Sequence, residues 1–158
     1  MRGTDARRGF SLPELLVVVG IIAILATAAL WNARGIRQRA RLVQASSHGA
    51  TVAQTLARYF TTYITVTPPD LMQMPDVQNL PAPPTAPAGA PALTAARSCA
   101  GTVTLPDPSG NPSPYSWPAA PNGVACSFGY LTTGGVSRIA VITWAEGLAT
   151  YYVDGRKP

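Results

Sequence analysis

The chain divides by the rhythm of its apolar positions. From Phe10 to Leu30 apolar residues run almost unbroken, 21 positions with a single carboxylate at Glu14 and no charge after it. As a helix at about 1.5 Å per residue the run reaches roughly 31 Å, close to the ~30 Å core of a bilayer. Beyond Leu30 the rhythm changes. Ala40, Val43, Ser47, Ala50, Gln54, Ala57 and Phe60 or Tyr63 recur near a 3.6-residue period, and Leu56 and Ile64 widen the stripe. This pattern predicts one long helix from Leu12 to about Tyr63, whose second half packs one face on a sheet. Near the other end, Val124–Leu131, Val136–Trp144 and Leu148–Val153 are rich in Val, Ile, Thr and Tyr. Thr132-Thr133-Gly134-Gly135 and Ala145-Glu146-Gly147 separate them, so the three read as an antiparallel meander. Ile139, Val141 and Thr143 fall on one face, and Ala140, Ile142 and Trp144 on the other. The predicted class is α+β: a long N-terminal helix, its first half suited to a membrane, packed on a small C-terminal antiparallel sheet.

Composition explains what lies between. The 158 residues include 16 prolines and 14 glycines, and only 12% are charged. Eight of the prolines fall in residues 68–91 and six more in 106–121. The first stretch, Thr67 to Pro91, reads as extended, polyproline-like chain tacked down by Leu71, Met72 and Met74. The second reads as a loop, preceded by a short strand at Cys99–Leu105. Asp107, Ser109 and Asn111 around Gly110 place oxygens close together. The bidentate acid that would complete a calcium loop is missing, which leaves a turn as the expectation.

Charge changes the picture at the N-terminus. Arg2, Arg7 and Arg8 against Asp5 give residues 1–9 a charge of +2 out of a total of +5. A basic leader before an apolar run fits an ordinary secretory signal peptide. Against that stand the length of the run and the absence of a clean small-x-small cleavage site. Trp31, Arg34, Arg37, Arg39 and Arg41 follow it instead. Glu14 argues the same way, because a carboxylate in lipid is expensive without a partner.

Gly9-Phe10-Ser11-Leu12-Pro13-Glu14 followed by the apolar run resembles the class III signal of type IV pilins and pseudopilins. The resemblance covers about the first thirty residues. It implies that a prepilin peptidase cuts between Gly9 and Phe10 and N-methylates the new Phe10 amine. It also implies that Glu14 pairs with the N-terminal amine of a neighbouring subunit in a filament. The implied partners are that peptidase, other pilin subunits, an inner-membrane assembly platform and the membrane itself. The implied location is the inner (cytoplasmic) membrane, single-pass, with the C-terminal domain outside the cytoplasm, and a periplasmic or cell-surface filament after assembly. The domain scheme is then a leader at 1–9, a transmembrane half-helix at 10–31 and an extracytoplasmic half-helix at 32–64. A proline-rich connection at 65–98 leads to a sheet region at 99–158 that contains the loop 106–121. Trp31 stands where many major pilins carry a proline, which favours a minor pilin or pseudopilin. In an exported domain Cys99 and Cys126 read as one disulfide, and two free buried thiols are the other reading.

Nothing in the sequence suggests an enzyme. The acids Glu14, Asp70, Asp76, Asp107, Glu146 and Asp154 stand singly, and the one histidine, His48, has no companion ligands. No cofactor, phosphate loop or metal pattern is implied. Three roles remain: a filament subunit of a twitching, competence or type II secretion system; a subunit that contacts DNA or a surface; and an anchored protein that never polymerises. For DNA, the candidate contacts are Arg97, Arg138, Arg156 and Lys157, interleaved with Tyr115, Trp117, Tyr130, Tyr151 and Tyr152. Arg34, Arg37 and Arg41 share a helical face and read as a basic collar near lipid headgroups.

Overall fold

The computed structural model describes residues 12–158, and two compact units divide the chain, one ending at Gln38 and one spanning Arg39–Pro158. Helix α1 runs Leu12–Thr62 without interruption for 51 residues. Two short helices follow, α2 (Pro68–Gln73) and α3 (Pro75–Gln78). Six strands complete the chain: β1 (Thr94–Ser98), β2 (Val103–Pro106), β3 (Pro112–Trp117), β4 (Ala125–Thr133), β5 (Val136–Ala145) and β6 (Leu148–Val153). The main sheet has the order β1-β4-β5-β6, all antiparallel, and β2-β3 form a separate hairpin. The long helix before a small antiparallel sheet is the expected α+β architecture.

The meander forms where alternation and turn residues coincide. Gly134 and Gly135 have φ of 59° and 79°, and Glu146 and Gly147 have 52° and 78°. Two consecutive positive φ values make a two-residue turn whose twist matches that of its flanking strands. Ile139 and Val141 on β5 join Val52, Leu56 and Tyr59 of α1 in the core. Phe128 of β4 and Tyr152 of β6 extend it.

The helix buries a stripe rotated from the one expected, the two sharing Leu56 in the core and Ala50, Phe60 and Tyr63 packed against it. Ala45, His48, Gly49, Val52, Ala53, Leu56 and Tyr59 are inside, while Val43, Ser47 and Gln54 are exposed. Both faces carry enough apolar residues to satisfy a 3.6-residue period. Closeness of approach decides between them. A Cβ added at Gly49 would sit 2.6 Å from Thr143 Oγ1 and 2.8 Å from Tyr152 Cε2. The sheet therefore rests on a helix face that lacks a side chain at its centre. Around that point Tyr152 donates its hydroxyl to the Ser46 carbonyl at 2.8 Å.

Two stretches expected to be irregular are ordered elements. Residues 68–78, expected as extended chain, are helical. Pro68 and Pro69 open α2 and Pro75 opens α3, where a missing N–H costs nothing and the fixed φ favours the first turn. Thr67 N–H donates to the Asp70 carboxylate at 3.4 Å, which caps α2. Leu71, Met72 and Val77 drop into the core. Residues 112–117, expected within a loop, form β3, which pairs with β2 and brings Trp117 inside at 1% exposed. Trp117 packs edge-on against Phe128 at 5.7 Å between centroids. The first strand of the main sheet is Thr94–Ser98, just before Cys99.

Candidate assembly segment and surface sites

The described part of helix α1 opens with Leu12, Pro13 and Glu14. Gly9 and Phe10 lie outside the described residues. From Leu12 to Leu30 the large apolar side chains are between 46% and 79% exposed, and they point in every direction around the axis. The stretch is long and apolar enough to cross a membrane, and none of that window is buried. Thr27, a polar residue within it, donates its hydroxyl to the Ile24 carbonyl at 2.8 Å, so it needs no partner in lipid.

Within the unit Arg39–Pro158, Arg41 forms an ion pair with Glu146 at the β5–β6 turn. Arg41 thus ties the helix to the tip of the hairpin, a contact the collar reading does not contain. Both side chains are substantially exposed, so the pair is worth at most about 1 kcal/mol.

Cys99 and Cys126 form a disulfide, with Cα atoms 4.9 Å apart and both residues fully buried. The bond joins the end of β1 to β4. His48 donates its Nε2–H to the Cys99 carbonyl at 3.1 Å, so the lone histidine serves packing. Tyr59, at the end of the buried stripe, donates to the Pro106 carbonyl at 2.7 Å and meets Tyr63 and Tyr115 edge-on. Burial, with smaller contributions from Tyr63 and Asp107, pushes its hydroxyl up to about 12. Asp107 accepts the backbone N–H groups of Ser109 and Asn111, each at 2.8 Å. Those bonds, led by the one from Asn111, hold its carboxyl below the ordinary value. The residues flanking Gly110 are therefore a turn built on Asp107. Among the described residues no three His, Cys, Asp or Glu side chains cluster as metal ligands would.

The four candidate nucleic-acid contacts do not come together as one patch. Arg97 lies on β1, at the opposite edge of the sheet from β6. Arg138 and Arg156 do line one hollow of about 430 Å³, with Val153, Asp154 and Pro158, and Lys157 is exposed next to it in the chain. Asp154 stands 3.6 Å from Arg138 and offsets its charge. Most of the aromatic candidates are already engaged. Trp117 is buried, Tyr115 pairs with Thr62, Tyr130 donates to the Pro69 carbonyl, and Tyr152 to that of Ser46. Tyr151 alone of the five is exposed, at 39%. Alternation along a strand sends most such rings into the core, and a count of residue types does not register that.

The family model of the prokaryotic N-terminal methylation motif matches residues 5–30. The chain carries the class III prepilin signal of type IV pilins. The match takes in both sides of the Gly9–Phe10 junction, Glu14 and nearly all of the exposed apolar stretch. The prepilin signal implies processing by prepilin peptidase and assembly with other pilins, and it points to a structural subunit. The α+β architecture after the signal is pilin-like. No curated protein and no solved structure matches the chain.

Proposed function

We propose that the protein is a minor pilin or pseudopilin, a structural subunit of a type IV pilus or related filament. One observation carries this: a prepilin signal at residues 5–30 leads into a helix whose apolar side chains are exposed on all sides. Such a surface is stable only in lipid or among other apolar helices. In this reading residues 1–9 are removed, the Phe10 amine is methylated, and residues 10–31 hold the subunit in the inner membrane. Three arginines precede the span and four follow it, so the cytoplasmic N-terminus in this reading rests on the prepilin signal and not on the charge count. Residues 32–64 and the sheet region then lie outside the cytoplasm. Glu14 draws the chain out of lipid into the filament, because pairing with a neighbour's N-terminal amine relieves the cost of a carboxylate in an apolar medium.

Mass spectrometry of the N-terminus, in cells with and without prepilin peptidase, tests the reading. A mature chain beginning at N-methyl-Phe10 only when the peptidase is present is the expected result. An intact leader, or cleavage after the apolar run, refutes it. Glu14→Ala is expected to leave a cleaved, membrane-bound protein that enters filaments poorly, and wild-type entry would remove Glu14 from the assembly role.

A second reading rests on Arg138 and Arg156 lining one hollow beside exposed Lys157. It makes the protein a DNA-contacting subunit of an uptake filament. DNA binding that weakens with salt and is lost on Arg156→Ala with Lys157→Ala supports it. No binding at low salt ends it.

A further inference from the structure

The main sheet has two edges, and they are treated differently. At β1 the edge is closed. The ladder shifts register between Thr94 and Arg97, where Ala95 takes a φ of 52°. Gly129 of β4 makes room for this bulge: a Cβ there would meet the Thr94 carbonyl oxygen at 2.9 Å. The Ser98 N–H donates to the Pro81 carbonyl at 2.9 Å, and the Ala96 carbonyl accepts the Arg97 guanidinium at 3.0 Å. A bulge and occupied backbone groups are how natural sheets stop another strand from adding to them.

At β6 none of these devices is present. Leu148–Val153 contains no charge and no proline, and its register with β5 is continuous from Ala145↔Leu148 to Ala140↔Val153. The Asp154 N–H donates to the Ile139 carbonyl. By alternation Tyr152, Thr150 and Leu148 therefore direct their backbone groups at β5, and Val153, Tyr151 and Ala149 direct theirs outward. Val153 is satisfied on both counts by Arg156, its N–H at 2.8 Å and its carbonyl at 3.0 Å. Among the described residues Ala149 and Tyr151 have no such partner. They leave two N–H and two C=O groups in a row, beside side chains that are exposed. An extended backbone laid alongside satisfies all four at once in place of water.

The sequence of the edge says which backbone. In an antiparallel pairing of β6 with a second β6, centred on Thr150, Ala149 of each copy faces Tyr151 of the other. The small residue lies opposite the large one, Thr150 meets Thr150, and Glu146 and Asp154, which the register brings opposite each other beyond the strand ends, are each offset by an arginine of their own copy, Arg41 and Arg138. Each Ala149–Tyr151 pair exchanges both hydrogen bonds, four bonds in all. We propose that the β6 edge is a self-association site at which two copies of this chain pair antiparallel about a two-fold axis at Thr150. The proposal uses neither the prepilin cleavage nor Glu14, so it stands or falls apart from the filament reading.

Cysteine cross-linking of the full-length chain in membranes tests it. Thr150 of the two copies form a pair without backbone hydrogen bonds, the geometry in which opposed Cβ atoms come nearest. With an added thiol oxidant, Thr150→Cys is expected to give a band at twice the chain's mass that disappears on reduction. Val136→Cys, exposed on β5, serves as the collision control. Ala149→Pro removes one outward N–H and no bond to β5. It is expected to cut the Thr150→Cys product about tenfold, as loss of roughly 1.4 kcal/mol of pairing would. If Ala149→Pro unfolds the domain, Tyr151→Lys places charges at the edge with every backbone bond kept and is expected to act the same way. No dimer, equal cross-linking at Val136→Cys, or a product of another mass overturns the second-copy assignment.

Discussion

Between Leu12 and Leu30 the long helix shows apolar side chains on every side, all of them roughly half exposed or more. Between Ala45 and Tyr59 the same helix buries one narrow stripe and leaves Val43, Ser47 and Gln54 outside. The first stretch is recognised by a family model, while beyond residue 30 no comparison finds a counterpart. The contrast teaches what each stretch answers to. A prepilin signal with its apolar run is constrained residue by residue along the chain. A segment that packs on a sheet is constrained by surfaces contributed from far away in sequence, and many combinations of residues meet that demand.

Mutations at matched positions in the two stretches should separate them most sharply, measured as thermal or denaturant unfolding of the full chain in detergent. The largest effect is expected in the packed unit. Cys99→Ser with Cys126→Ser should cost about 2–5 kcal/mol, the range for a native disulfide in a small secreted domain. Leu56→Ala, at a fully buried position, should cost about 2–5 kcal/mol, whereas Leu25→Ala, at 63% exposed, should leave the unfolding of the sheet domain unchanged. Equal losses at Leu56 and Leu25 would erase the distinction.

Glycine gives the next test. Gly49→Ala must push Thr143 and Tyr152 aside, an overpacking cost of about 1–3 kcal/mol set against about 1 kcal/mol of helix propensity gained. Gly35→Ala meets nothing within 4 Å and should be neutral or stabilising. A stabilised Gly49→Ala would mean that the sheet does not sit close on the helix.

Alkaline pH acts on the packed unit alone. The Tyr59 hydroxyl is raised from 10.0 to about 12, so the folded chain keeps a proton that the unfolded chain releases in that window. Stability is full below pH 10 and falls as pH rises towards 12. Tyrosinate absorbance should show Tyr59 titrating late, beside Tyr130, which burial and Asp70 also raise, and Tyr59→Phe should remove the step near 12. The smallest effect is expected at Thr143, whose buried hydroxyl has no hydrogen-bond partner among the described residues. Thr143→Val should be neutral or slightly stabilising, and a clear loss would reveal a bond the hydroxyl makes after all.

Much of the fold was legible beforehand. The long helix, the three strands of the meander and both turns follow from local period and turn chemistry, and they lie within a residue or two of expectation. The prolines of residues 68–78 misled because proline starts helices as readily as it prevents them, and the outcome depends on Leu71, Met72 and Val77 finding a core to enter. Trp117 misled because its strand exists only through pairing with β2. The DNA candidates were chosen by residue type, whereas strand order puts Arg97 on the far edge from β6 and side-chain alternation buries Trp117.

By itself, the sequence determined the signal at Gly9–Phe10, the apolar run, the fold class and the turns, because each is written in neighbouring residues and read by local geometry or by a solvent. The tertiary structure decided which stripe of α1 is buried, that Arg41 meets Glu146, and that one sheet edge is closed while the other stays open. Each of these is settled by residues far apart in the chain competing for the same contact, and a one-dimensional pattern carries no record of that competition.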